Sequence, residues 1–155
     1  MANSTEQTQA TYQLRRINAK KELMPRIMIV DDDVELLEEL KELLSANNYE
    51  VEVMPNSALA FEVACELKPD LVLMDLKMQP KSGFQLADEL HNSFKTKAIP
   101  IIAITGFFTE KEHVLMMKMC GLKHALLKPF NPPDLITKIE LVLEEAKSNP
   151  PPPVT

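Results

Sequence analysis

Glycine is scarce in this chain, with three residues in 155, at Gly83, Gly106 and Gly121. So small a supply cannot build the glycine-rich loop that cradles a nucleotide phosphate, which counts against a nucleotide-binding enzyme. Cysteine is rarer still. Cys65 and Cys120 have no CxxC spacing, so neither a disulfide framework nor a cysteine metal centre is indicated, and both read as small, buried apolar residues. Long hydrophobic runs are also missing. The apolar stretches are strand-sized and none approaches the ~18 residues of a membrane span, while the polar N-terminus lacks a signal-peptide apolar region. A cytoplasmic protein with no membrane partner is expected. No basic stripe offsets the net charge of -6, so nucleic acid is not the default partner.

What is present is a regular alternation. Residues 1–24 are rich in Ser, Thr, Gln and Asn, with a basic patch at Arg15, Arg16, Lys20 and Lys21, and read as a flexible or loosely helical arm. From Pro25 short apolar runs alternate with amphipathic stretches, the pattern of βαβ units and a parallel sheet. Five strands are predicted near residues 26–31, 50–54, 70–75, 99–105 and 124–128, each followed by a helix. Asp32-Asp33-Val34-Glu35 has capping-box spacing before Leu36, Leu37, Leu40, Leu43 and Leu44, and Asp32 or Asp33 suffices as the cap. Ser57 is the expected cap of the next helix, with Phe61, Ala64, Cys65 and Leu67 on its apolar side. Ser82-Gly83 introduces the third helix and Thr109-Glu110-Lys111-Glu112 the fourth. Pro132 and Pro133 suit the first turn of the last helix, whose core face is read as Leu135, Ile136, Ile139, Leu141 and Val142. One domain over residues 25–147 is expected, followed by a solvated proline-rich tail at 148–155.

Four strand ends carry polar groups in a suggestive order. Asp31-Asp32-Asp33 follows the first strand, Asp75 ends the third, Thr105 ends the fourth and Lys128 follows the fifth. In an open parallel sheet the carboxyl ends of the strands form one edge, so these groups can share a crevice. Acids, a hydroxyl and an ammonium suit a hard divalent cation beside a carboxylate nucleophile and a phosphoryl group. Each residue also has an ordinary reading. The three acids can cap and charge a helix start, Asp75 and Lys128 can be solvated charges, and Thr105 can be a β-compatible strand end. The functional reading requires all of them to meet on one edge.

Residues 27–32, 70–75, 101–105 and the run Leu127-Lys128-Pro129-Phe130 resemble the receiver domain of two-component response regulators, in the single-domain, chemotaxis-regulator-like form. The resemblance covers residues 25 to about 147. It implies a flavodoxin-like α/β sandwich of five parallel strands in order 2-1-3-4-5, with helices on both faces. It further implies that Asp75 is the phosphoacceptor, taking a phosphoryl group from a phosphohistidine on a sensor histidine kinase or histidine phosphotransferase. Mg²⁺ would be held by Asp31, Asp32, Asp75 and the backbone carbonyl of Lys77, with Asp31 acting through water. The Thr105 hydroxyl and the Lys128 ammonium would each bond a phosphoryl oxygen. Such a domain is not a conventional enzyme, although it assists its own phosphorylation and dephosphorylation. The family usually has a cis peptide at the position of Lys128-Pro129.

The chain departs from the family in several places. Ala125 stands three residues before Lys128, where a switch aromatic is usual, and His124 points to the opposite side of the strand. Pro80 comes one residue later than the family pattern. Lys77 and Phe107, two residues after Asp75 and Thr105, are not groups that orient water, so slow loss of the phosphoryl group is expected; Phe107 and Phe108 also have a plain reading as loop packing. The stretch Val114-Leu115-Met116-Met117-Lys118-Met119-Cys120 is apolar beyond one stripe. A partner surface or homodimer formed by this helix, the fifth strand and the last helix is therefore expected. Too few residues remain after the last helix for an output module, so the signal would leave through protein contacts with a downstream target or by onward phosphotransfer. The main rival is a phosphorylation-independent interaction module on the same fold, which Ala125 favours. An aspartyl phosphatase is opposed by Lys77, where a second acid is expected.

Overall fold

The computed structural model describes residues 3–106 and 111–150. The expected cap Thr109, the aromatics Phe107 and Phe108 and the prolines after Pro150 lie outside the described residues. In chain order the elements are α1 (Ser4–Leu23), β1 (Arg26–Val30), α2 (Val34–Ala46), β2 (Glu50–Met54), α3 (Ser57–Leu67), β3 (Leu71–Asp75), α4 (Gly83–Asn92), β4 (Ile101–Thr105), α5 (Lys111–Met119), β5 (His124–Leu127) and α6 (Pro132–Ser148). The five strands are parallel and run in the order β2-β1-β3-β4-β5, the expected flavodoxin-like arrangement.

Strand alternation divides the core in two. Met28, Val30, Val72, Met74 and Ala103 face one layer, which Ala60, Ala64, Leu86, Ala87, Leu90 and Met117 complete from α3, α4 and α5. Ile27, Ile29, Leu71, Leu73, Ile102 and Ile104 face the other layer, with Leu37, Leu40 and Leu44 of α2 and Leu135, Ile139 and Val142 of α6. The apolar runs of β1 and β3 are continuous because both faces are covered. Leu141, expected on the core face of α6, is 51% exposed. The buried positions 135, 139 and 142 keep the i, i+4, i+7 spacing of one stripe, and 141 falls outside it.

The caps explain where helices begin. Asp33 caps α2, accepting from the Leu36 N–H at 3.2 Å. Ser82 and Gln85 form a reciprocal capping box at α4, and Asn131 caps α6 ahead of the two prolines. For α3 the cap is Asn56, which accepts from the Ala58 N–H at 3.1 Å, and not Ser57. Ser57 is the first helical residue and is buried, where its Oγ accepts from the Lys81 N–H at 3.0 Å. A cap of this kind contributes about 1 kcal/mol. Cys65 and Cys120 are free and half-buried rather than buried. Ahead of β1, α1 is closed at its start by a reciprocal pair, the Asn3 N–H on Glu6 Oε2 (3.0 Å) and the Glu6 N–H on Asn3 Oδ1 (2.9 Å).

His124 of β5 lies with its Nε2 3.1 Å from Glu145 Oε2 of α6. Burial pushes the imidazole below its ordinary 6.5, outweighing the upward pull of Glu145, and Lys138 and Lys123 act in the same direction as burial. The folded state thus favours neutral His124. As pH falls below 6.5 the unfolded chain binds more protons and stability declines. Urea unfolding of His124→Gln should show a smaller loss of stability between about pH 6.5 and pH 5 than the wild type. An equal loss in both would place the pH dependence elsewhere.

Candidate functional site

β1 and β3 are neighbours in the sheet, so the residues at their carboxyl ends meet. One carboxylate oxygen from each of Asp31, Asp32 and Asp75 lies within 4.8 Å of the others. Asp31 is 3% exposed and Asp32 exposed, while the Asp75 side chain is 14% exposed. Lys128, just past β5, reaches across with its Nζ 3.3 Å from Asp31 Oδ2 and 3.5 Å from Asp75 Oδ2. Thr105 is fully buried at the end of β4, and its carbonyl accepts from the Lys128 N–H at 3.0 Å. The strand ends therefore bring together Asp31, Asp32, Asp75, Thr105 and Lys128.

Backbone amides quiet part of the repulsion. Asp31 Oδ1 accepts from the Asp33 N–H at 2.9 Å, Asp75 Oδ1 from the Lys77 N–H at 3.3 Å, and Asp32 Oδ2 from the Gln79 N–H at 3.4 Å. These contacts do not fully compensate Asp31. Burial raises its carboxyl above the ordinary value, with the nearby Asp75 adding to the rise, against the lowering effect of the Asp33 amide and the Lys128 ammonium. Three carboxylates and one ammonium leave a formal excess of two negative charges in a small, all-oxygen site. That donor set fits a hard divalent cation, for which oxygen ligands and one or two carboxylates are the usual partners.

The other sequence candidates lie around this centre. Lys77 stands at the rim, exposed, with its N–H on Asp75. Ala125 sits in β5 opposite Ala103, half-buried against the α3–α5 layer, and is not part of the carboxylate cluster. Phe107 lies outside the described residues. Lys128-Pro129 is cis, as the resemblance implied, and so is Gln79-Pro80.

Sequence reasoning missed the scaffold beneath the turn after β3. Gly83 donates its N–H to the Leu76 carbonyl at 3.0 Å, and a Cβ there would run into the Asp75 carbonyl oxygen and lie 2.7 Å from Leu76 Cα. Ser57 holds the Lys81 amide of the same turn. A signal existed in the rarity of glycine, but what it approaches is set by the fold.

Residues 27–140 match the family model described as the response regulator receiver domain. The chain is 34% identical over 120 residues to protein PilH of Pseudomonas aeruginosa, covering 77% of this chain and 98% of that protein. It is 34% identical over 122 residues to the transcriptional regulatory protein RprY of Bacteroides fragilis, covering 79% of this chain and 50% of that protein. The chain spans about half the length of the transcriptional regulatory proteins it matches. Among solved structures, a CheY-like response regulator receiver domain protein from Methanospirillum hungatei is similar with a TM-score of 0.75 and 29% identity, covering 81% of this chain and 98% of that one.

The close approach at Gly83 makes a direct prediction. Gly83→Ala should displace the turn after β3 and lower stability by roughly 1–3 kcal/mol, the range for overpacking. Denaturant unfolding measures this, and a change within error would mean that the turn yields freely.

Proposed function

The chain belongs to the response regulator receiver domain family, and from that premise we propose that Asp75 accepts a phosphoryl group from a phosphohistidine donor in a Mg²⁺-dependent reaction. The donor would be a sensor histidine kinase or a histidine phosphotransferase. The observation that carries this reading is the convergence of three carboxylates within 4.8 Å with one ammonium bridging Asp31 and Asp75. In the proposed step an Asp75 carboxylate oxygen attacks phosphorus as the P–N bond breaks, and the electron pair leaves with the imidazole. The product is an acyl phosphate on Asp75. Asp31, Asp32, Asp75 and the Lys77 backbone carbonyl would hold the cation, whose charge offsets that of the phosphoryl oxygens. Lys128, already poised between the two acids, transfers its pairing to a phosphoryl oxygen, and the Thr105 hydroxyl bonds another. Little of this is covalent work for the protein, because phosphoryl transfer depends mainly on positioning and charge.

The family's domains are signalling units rather than conventional enzymes. Here the receiver unit is taken as residues 25–147, with α1 as an arm before it and residues 148–155 as a tail. Among the described residues no helix is long and apolar enough to cross a membrane, which accords with a cytoplasmic site of action. The outgoing surface is assigned to α5, β5 and α6, where Leu115, Met116, Met119, Leu127 and Leu141 are 45–75% exposed. A downstream protein or a second copy would bury them there, and flexible thioethers suit an adaptable contact. Ala125 favours one rival, a module that binds partners without being phosphorylated, since a methyl cannot act as a switch ring.

Labelling with acetyl phosphate and Mg²⁺ separates the readings. Wild type should be labelled and Asp75→Asn should not, because an amide does not attack phosphorus; an unlabelled wild type supports the rival, and a labelled Asp75→Asn moves the acceptor elsewhere. Asp32→Ala should weaken Mg²⁺ binding by about tenfold or more through loss of a ligand carboxylate, read by titration calorimetry. The double variant Met116→Lys with Met119→Lys should keep acetyl phosphate labelling yet lose partner capture. Undiminished capture would remove α5 from the surface.

A further inference from the structure

Two helices of this chain expose stripes of opposite charge over similar lengths. On α2, Glu35, Glu38, Glu39 and Glu42 recur at i, i+3, i+4 and i+7, so they lie on one face, and all four are exposed. That acidic stripe is about 10 Å long at the rise of an α-helix. On α1, Tyr12, Arg16 and Lys20 follow one another at i+4 with Arg15 beside them, and all are exposed. Arg16 lies over the Tyr12 ring at 5.9 Å, which fixes its guanidinium on that face. The basic stripe from Arg15 to Lys20 is about 8 Å long.

The first 24 residues hold four basic and two acidic side chains in a chain of net charge -6, so α1 is a cationic arm on an anionic body. Its apolar residues Tyr12, Leu14 and Ile17 are 59–60% exposed. A helix with its apolar residues this exposed gains stability from packing against something else. Within its own molecule α1 meets the body near its C-terminal end. The Met24-Pro25 link to β1 is short, and Ile17, Lys20 and Met24 sit beside Ser45, Asn48 and Tyr49 at the far end of α2, around a shallow cavity of about 480 Å³. Among the described residues no ion pair joins Arg15, Arg16 or Lys20 to α2.

We propose that α1 of one copy docks along the glutamate stripe of α2 of a second copy, in a reciprocal two-fold pair. Every chain carries both halves of the contact, so a two-fold arrangement forms it twice. The interface is separate from the α5–β5–α6 surface. Because α2 begins at Val34, one residue after its cap Asp33, the paired helix also lies next to the strand end that carries Asp31 and Asp32.

Sedimentation equilibrium of the full chain tests this. Wild type should dimerise with concentration, and association should weaken by about tenfold in high salt, as screened surface pairs do. The triple variant Arg15→Glu, Arg16→Glu, Lys20→Glu and the triple variant Glu35→Lys, Glu39→Lys, Glu42→Lys should each be monomeric, and mixing the two should restore a heterodimer. Circular dichroism confirms that each is folded, and Met116→Lys with Met119→Lys should leave this association intact. A monomeric wild type, an association that either charge reversal leaves unchanged, or a mixture that stays monomeric overturns the proposal. So does a monomer that binds vesicles of anionic phospholipid through Arg15, Arg16 and Lys20, since that assigns the arm to a membrane surface instead.

Discussion

The crowding of Asp31, Asp32 and Asp75 within 4.8 Å is the constraint that the surrounding structure answers. Like charges this close are unfavourable, and burial of Asp31 makes its ionisation harder still. The chain responds with donors from three separate segments. The Asp33, Lys77 and Gln79 amides each take one carboxylate oxygen, and Lys128 spans two of the acids. A fold selected only for stability would replace such a cluster with apolar residues. Keeping it leaves an excess of negative charge poised for a cation, which is the sense in which the centre is prepared before any ligand arrives.

The same constraint organises the turn after β3. It must present Asp75 and the Lys77 amide together, and it does so by lying almost on the start of α4, where only glycine fits. Ser57 from α3 secures the far side of the turn. Strand β4 is linked to the site through Thr105, whose carbonyl holds the Lys128 amide. With Ala125 rather than a ring in β5, this backbone connection ties the end of β4 to the residue that follows β5.

The outer surface follows a different logic from the core. The interior is closed on both sides of the sheet by aliphatic residues, yet α5 buries Met117 while leaving Leu115, Met116 and Met119 outside. Charge is equally uneven, with acids gathered along α2 and bases along α1. Neither distribution is needed to hold the sheet together, so both are available for contacts with other molecules.

Much of this was legible in the residues alone. Alternating apolar runs and amphipathic stretches determine a parallel α/β sheet because each periodicity suits only one element, and the polar residues at the ends of the first, third, fourth and fifth strands then fall on one edge whatever the loops do. The resemblance carried by residues 27–32, 70–75, 101–105 and 127–130 supplied the strand order. Tertiary structure decided the rest. Asn56 rather than Ser57 caps α3, since Ser57 is drawn inward to the Lys81 amide; Leu141 turns outward, since α6 has one stripe to bury; and Gly83 is required by a carbonyl eight residues earlier. These outcomes depend on which groups meet across the fold, and local pattern records what a residue prefers, not what it will be packed against.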